Sequence, residues 1–541
     1  MKSVLKFLFL SISITYLFSS CSGVSEQAKL IPSDADFVGV MDLPKIGIKS
    51  KLYANTSFAM FDSFTETIDS ESASIIVSGI LKDRSESGID VTSPLYFYLV
   101  SEQLYGAIAI SLSNSSKFAD YLELHLSDEY TKEEKNDIVL YTDERDEIIA
   151  FNSETAFFIR LDGAYSPDFA VKLFTVEPEK SIVFQPAFTS FLEQKQDISV
   201  FVPSNKLLDF AGKSTEKEIS EYLAMFGSIS YADLRDNYLS FSLLFNDKSI
   251  EFSTDIIVND SLAQKLREQN LSKSSFSKNI LNYVPNSTLV LSSSTFDTKK
   301  LVASIETIDK DGQIQAVAKQ NGIVLEDLIS EFGGDLLFSL YDFSVENIEY
   351  ETTMFTGVDE MGYPVFTDTV VTREKTMPKM SVVLSLVQKE KLQTLFDQLG
   401  ASLFTKVDNY YQLADGFMKG YELYISLQNN VLMLTTDKDA IILAGKGGYD
   451  SSISSNTISK NIAPAGYVYL NLDYETYPES IKNMVEQMGV QAFLPSITSL
   501  VQSLEIMSKK EFSATIQLNL KQDNDNSLYQ VLHTIDNISG L

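Results

Sequence analysis

The sequence has no tryptophan, one cysteine and two histidines in 541 residues. A single thiol closes no disulfide within its own chain, so no intrachain disulfide holds the fold. With one cysteine and only His125 and His533, no ordinary zinc ligand set assembles. His125 lies in an amphipathic helical stretch from Phe118 to Leu126, and His533 stands beside Leu532 in the last helical stretch. Neither accompanies a nucleophile motif, and there is no G-x-S-x-G elbow. No catalytic residue, metal site or cofactor is therefore assigned. Basic residues are also scarce, 43 against 74 acids, for a formal charge of −31. Such a surface repels phosphate backbones and anionic lipid heads, which excludes nucleic acid as a partner.

The rarity of cysteine makes its position informative. Met1 to Cys21 reads as two lysines, Lys2 and Lys6, an apolar run from Phe7 to Phe18, then Ser19 and Ser20 directly before Cys21. This is the layout of a secretory signal peptide over residues 1–20, with an apolar run too short to span a bilayer. Cleavage after Ser20 leaves Cys21 as the first mature residue and the site of lipidation, with palmitate-like acyl chains. The segment resembles a bacterial lipobox, with Phe18 where leucine is commoner. Each buried methylene contributes about 0.8 kcal/mol, so several chains on Cys21 give durable anchoring to a membrane. Losing Lys2 and Lys6 takes the charge from −31 to −33. Residues 21–29 read as a polar, lipidated tether that lets the body stand off the bilayer. Ser22 carries no charge that would signal inner-membrane retention, and no acidic run follows Cys21. The expected address is the cell envelope, on the periplasmic side of the outer membrane.

The remainder has a globular composition, with 44% hydrophobic and 11% aromatic residues, in a length that calls for two to four domains. Internal similarity suggests two. Ile31-Pro32-Ser33-Asp34-Ala35-Asp36-Phe37-Val38-Gly39-Val40 is matched by Tyr283-Val284-Pro285-Asn286-Ser287-Thr288-Leu289-Val290-Leu291, and each leads to a helix, from Leu43 and over Lys299 to Ile305. Strands at Pro94 to Leu99 and Asp335 to Leu340 come next. Then Ala107 to Leu112, a helix Ser116 to Leu126, and strands Ile138 to Tyr141, Ile148 to Phe151 and Ala156 to Leu161 precede a helix Asp168 to Phe174. Their counterparts are Ser381 to Leu386, a helix Lys389 to Leu399, strands Tyr410 to Leu413, Tyr421 to Ser426 and Val431 to Thr435, and a helix Asp437 to Ala444. Ser115 and Asp437 are the expected caps. Asp197 to Val202 with a helix Asn205 to Phe210 pairs with Gly466 to Asn471 and a helix Tyr477 to Met488. Glu251-Phe252-Ser253 finds an echo in Glu511-Phe512-Ser513. The expected fold is α+β: two related halves, Leu30 to Ser277 and Lys278 to Leu541, each a mostly antiparallel sheet with helices on one face. Asp143-Glu144-Arg145-Asp146 marks one of the tight strand connections.

One insertion breaks the symmetry. Glu346 to Thr376 alternates over Tyr350 to Phe355 and Pro364 to Thr372 around Asp359-Glu360-Met361-Gly362, the signature of a long hairpin with its tip at those residues. Asp359, Glu360, Met361 and Tyr363 are the candidate partner-binding residues, because projecting loops carry binding. Other motifs reduce to local structure. Asp523-Asn524-Asp525-Asn526-Ser527 lacks the glycine and distal glutamate of a calcium loop and reads as a helix cap. Gly445-Lys446-Gly447-Gly448 lacks phosphate-loop spacing and reads as a helix exit. Asp128 to Lys135 reads as a solvated charged loop.

The lipobox followed by Ile31 to Val38, the Gly334 to Leu340 strand, and Tyr421 to Ser426 running into Val431 to Asp437 together resemble a family of Bacteroidota lipoproteins, domain of unknown function 4836. The resemblance implies an envelope lipoprotein of α+β fold and carries over no catalytic residue. The expectation is a non-catalytic module that binds an envelope protein or a glycan. The alternatives are a hydrolase using a carboxylate pair between the halves on envelope or dietary glycans, and a substrate-binding lipoprotein for uptake.

Overall fold

The computed structural model describes residues 24–52, 58–68, 70–143, 147–161, 167–204, 206, 233, 236–309, 312–320, 322–413, 422–487, 499–521 and 525–539. The chain forms two compact units, Met1–Glu268 with Gln522–Leu541, and Gln269–Lys521. Both are mixed α+β, and all their strand pairs described below are antiparallel.

The first unit contains β1 (Phe37–Met41), β2 (Leu95–Val100), β3 (Tyr105–Ser111), β4 (Thr131–Lys135), β5 (Ile138–Thr142), β6 (Glu147–Phe151), β7 (Thr155–Leu161), β8 (Ile198–Pro203), β9 (Tyr238–Phe245) and β10 (Ser249–Ile257). Their pairing order is β10-β9-β8-β1-β2-β3-β7-β6-β5-β4. Alternate side chains leave the two faces of a strand, and here both faces are covered. Tyr96, Tyr98, Tyr105, Ala107, Ile148, Ala150 and Phe157 pack under the helices Glu26–Lys29, Pro167–Leu173 and Pro186–Leu192. Leu95, Ile110, Ile149, Phe151, Ala156 and Phe158 pack under Leu43–Lys49, Glu71–Leu81 and Ser115–His125. The expectation of helices on one face is thus corrected. The sequence clue is in β6 and β7, whose residues Glu147 to Phe151 and Thr155 to Ile159 are all buried, as strands covered on two sides must be.

The second unit contains β11 (Val290–Thr295), β12 (Phe332–Val358), β13 (Pro364–Leu386), β14 (Phe404–Val407), β15 (Tyr410–Leu413), β16 (Tyr424–Gln428), β17 (Val431–Thr435), β18 (Tyr467–Asn471), β19 (Val501–Met507) and β20 (Ser513–Leu520). Their order is β20-β19-β18-β11-β12-β13-β17-β16-β15-β14, the same succession as in the first unit. One face of the sheet, with Leu291, Leu337, Val383, Tyr424 and Met433, meets Ile280, Leu281, Ala440 and Ile441. The other, with Leu386, Ile425, Leu427 and Leu432, meets Leu392, Phe396 and Leu328.

Several local expectations change. Residues Ser25 to Leu30 are not a loose tether: Glu26–Lys29 is a short helix with Gln27 and Ala28 buried, capped by Ser25. Gln27 Nε2 donates to Thr155 Oγ1 at 3.1 Å, and Ser25 Oγ donates to the Tyr96 hydroxyl at 2.9 Å. Thr131 to Lys135, expected within a loop, is the edge strand β4, whose charged side chains keep a free edge from pairing with another chain. Asn114, not Ser115, caps the helix Ser115–His125, accepting from Lys117 N at 2.9 Å. Glu511 and Phe512 precede β20, with Phe512 at φ 59°, whereas Glu251 and Phe252 lie inside β10, so that short identity is not a structural equivalence. The helix expected at Asn205 to Phe210 lies outside the described residues but for Lys206, as do Glu144 to Asp146, Tyr421 and Met488.

Candidate functional site

The strongest candidate is a two-stranded ribbon formed by the outer parts of β12 and β13. The two strands pair from Phe332 with Leu386 to Val358 with Pro364. At its root the ribbon belongs to the sheet, because β12 pairs with β11 through Asp335 to Leu340 and β13 pairs with β17 through Ser381 to Ser385. Asp342 Oδ1 there accepts from Ser480 Oγ at 2.6 Å, and the helix Glu479–Gln487 packs on β12. Beyond Val345 the two strands pair only with each other among the described residues. At about 3.3 Å per residue, the stretch from Val345 to Val358 reaches roughly 45 Å.

Asp359 closes the tip. Its Oδ1 accepts from Met361 N and Tyr363 N at 2.9 Å each, and its own N–H donates to Tyr363 O at 2.9 Å. Gly362 completes the turn at φ 85°, a backbone conformation that L side chains resist. The Asp359 side chain thus serves the turn, while Met361 and Tyr363 are presented outward at 83% and 67% exposure. Glu360 is exposed beside them.

The register sorts the side chains into two faces. Tyr350 opposite Val371 and Met354 opposite Thr367 lie on one face, joined by Val365 and, between them, Thr352 opposite Thr369. From Tyr350 to Val365 that face carries no charged residue. The other face sets Phe355 against Phe366, ring centroids 5.8 Å apart and edge to face, with Val370, Glu351 and Asp368. Val358, Phe355, Phe366 and Val370 are each more than half exposed. From 346 to 372 there is no lysine or arginine at all. An isolated two-stranded ribbon is marginally stable in water, and one this long showing large apolar side chains on both faces invites pairing.

The buried carboxylates elsewhere are occupied by structural work. Asp197 pairs with Lys49 at 2.6 Å and accepts from Phe245 N at 2.7 Å. Asp335 pairs with Lys273 at 2.7 Å and accepts from Ser277 N and Ser385 Oγ. Glu331 caps the helix Glu390–Leu403 by accepting from Lys391 N and Leu392 N at 2.7 Å each. Burial pushes the Glu147 carboxyl up, but hydrogen bonds from Ser72, Ser70 and Tyr130 more than offset it and hold it below the usual range. Glu505 accepts from Tyr467, Asn461 and Asn519, and burial together with that carboxylate drives the Tyr467 hydroxyl far up.

His125 and His533 are both exposed and lie against tyrosines, Tyr121 at 4.4 Å and Tyr529 at 5.7 Å between ring centroids. No cluster of three metal-ligating side chains occurs among the described residues. Asn526 caps the last helix by accepting from Leu528 N at 3.0 Å, while Asp523 and Asn524 lie outside the described residues. Gly447 and Gly448, at φ 102° and 114°, end the helix Lys438–Gly445. Cavities of about 230 and 280 Å³ occur among the described residues, the larger lined by Val24, Val40, Tyr96 and Phe191. Residues 1–23, Cys21 among them, lie outside the described residues. No described helix is long and apolar enough to cross a membrane.

Fold and ribbon define an antiparallel α+β protein with a hairpin that exposes apolar side chains among the described residues. The chain belongs to the family described as domain of unknown function (DUF4836), whose profile matches residues 28–528. No curated protein matches it. Among solved structures, crystal form I of TP0453 aligns at 9% identity over 46% of this chain and 88% of that one, with a TM-score of 0.26. Crystal form III aligns at 9% identity over 47% and 90%, with a TM-score of 0.27. Likeness at that level carries no argument about function.

Proposed function

We propose that this chain is a Bacteroidota envelope lipoprotein, cleaved after Ser20 and acylated on Cys21, that works by binding a protein partner through the β12–β13 ribbon. The apolar run before a unique cysteine supports the address, and outer membrane facing the periplasm fits the uncharged Ser22. The identical strand succession in the two units supports an origin by internal duplication. The ribbon is the feature that sets the second unit apart.

The observation that carries the binding reading is the ribbon's composition: exposed Met354, Phe355, Met361, Tyr363 and Phe366 in a stretch with no basic residue. Seven acids against two bases from 346 to 376 set like charge against like in a second copy of the ribbon. They favour a partner with an apolar groove rimmed by lysine or arginine, held by strand addition or by aromatic anchors at the tip. The buried acids Asp197, Asp335 and Glu331 are committed to ion pairs and a helix cap. The test is crosslinked capture from native envelopes with wild type and with a Phe355→Ser/Phe366→Ser/Tyr363→Ser variant. The expected result is one protein lost with the variant, whose purified form binds wild type more weakly as salt rises. Capture that the variant leaves unchanged, or capture of glycan alone, overturns the reading.

A further inference from the structure

The length of chain between the acylated cysteine and the folded body decides which surface meets the membrane. Val24 already packs on the first core, and Ser25 to Leu30 are fastened by the Ser25–Tyr96 and Gln27–Thr155 hydrogen bonds. Three Cα steps separate Cys21 from Val24, a reach of at most about 11 Å. A body held that closely has little freedom to stand off from the headgroups, so the surface around the start of the helix Glu26–Lys29 faces them.

That surface carries an unexplained side chain. The short helix packs against the turn Ile182–Phe184, and the next residues stitch the two together. Ile182 N donates to Ile31 O at 2.9 Å, Ser33 N donates to Lys180 O at 2.7 Å, and Gln185 Nε2 donates to Ser33 O at 3.0 Å. Val183 turns into the core, whereas Phe184 is 67% exposed. Lys29 and Lys180 are exposed nearby, each paired with an acid three residues before it in the chain. An exposed aromatic flanked by lysine stems is the composition of an interfacial anchor.

We propose that the surface formed by Glu26–Lys29 and Ile182–Phe184 lies against the lipid bilayer, with Phe184 inserted at the headgroup boundary. The proposal rests on acylation of Cys21. Phe184 supplements the acyl chains and fixes the orientation of the first unit, which a flexible tether would leave free.

The absence of tryptophan supplies the test. Phe184→Trp gives the full-length acylated protein a single tryptophan at this surface, and Leu124→Trp gives one on the helix Ser115–His125, which covers the opposite face of the same sheet. Both are bound to vesicles of phosphatidylcholine brominated in its acyl chains. The expected result is about twofold quenching of Phe184→Trp with little change in Leu124→Trp, relieved when about ten Gly/Ser residues are inserted between Gly23 and Val24. Equal, weak quenching at both positions in protein that carries the acyl mass on Cys21 and floats with the vesicles overturns this orientation alone. Absence of that mass overturns the lipoprotein reading, and this proposal with it.

Discussion

Asp36 joins the start of β1 to the end of β2, accepting from Ser101 N and pairing with Lys206 at 2.9 Å. Burial pushes its carboxyl up, yet the bonds from Ser101 and Lys206 more than offset that and hold it below the ordinary value. A depressed folded pKa adds stability above the unfolded value, and that stability is lost as pH falls through the folded one. Asp36→Asn is therefore expected to lose about 1–3 kcal/mol at neutral pH, with the gap to wild type narrowing as pH drops below the unfolded carboxylate value. Urea melts at neutral and acid pH compare the two, and a gap independent of pH would remove charge from the account. Gly39 is a packing counterpart: a Cβ there would fall 1.9 Å from the ring of Phe97, its cross-strand partner. Gly39→Ala is expected to cost about 1–3 kcal/mol in the same melts by forcing that ring aside.

At the scale of elements, the ribbon and the helix it neighbours in sequence make opposite predictions. Phe355→Ser with Phe366→Ser removes exposed side chains, so the melting temperature is expected to hold while partner capture falls about tenfold or more. Glu331→Ala strips the cap of Glu390–Leu403 and is expected to cost about 1–2 kcal/mol with capture unchanged, read by melting and by faster amide exchange at Lys391 and Leu392. The ribbon was legible beforehand because two runs of β-branched and aromatic residues, Tyr350 to Phe355 and Pro364 to Thr372, flank a turn that needs Asp359 and Gly362. The strand β4 was not, because Thr131-Lys132-Glu133-Glu134-Lys135 has no apolar face and is defined by pairing with β5. The helix Glu26–Lys29 was missed for a related reason: four residues hold too little periodicity, and burial of Gln27 depends on Thr155, distant in sequence.

At the scale of the whole molecule, the last helix belongs with the first unit, although linear order set it with the second half. Tyr529 packs on Phe58, Asn526 Nδ2 donates to Phe245 O at 3.0 Å, and Lys51 pairs with Asp525 at 2.5 Å. Ending the chain at Lys521 is expected to speed amide exchange in Leu43–Lys49 and β9 far more than in β16 and β17. Equal effects on both sets would contradict that placement. What the sequence determined by itself was local: many of the strands, several of the helices, and the hairpin with its tip, each written in short-range periodicity or spacing. Only the tertiary structure decided that helices cover both faces of each sheet, that Ser25 to Leu30 is anchored in the core, and where the final helix docks. Those outcomes depend on contacts between residues tens to hundreds of positions apart, which no local pattern records.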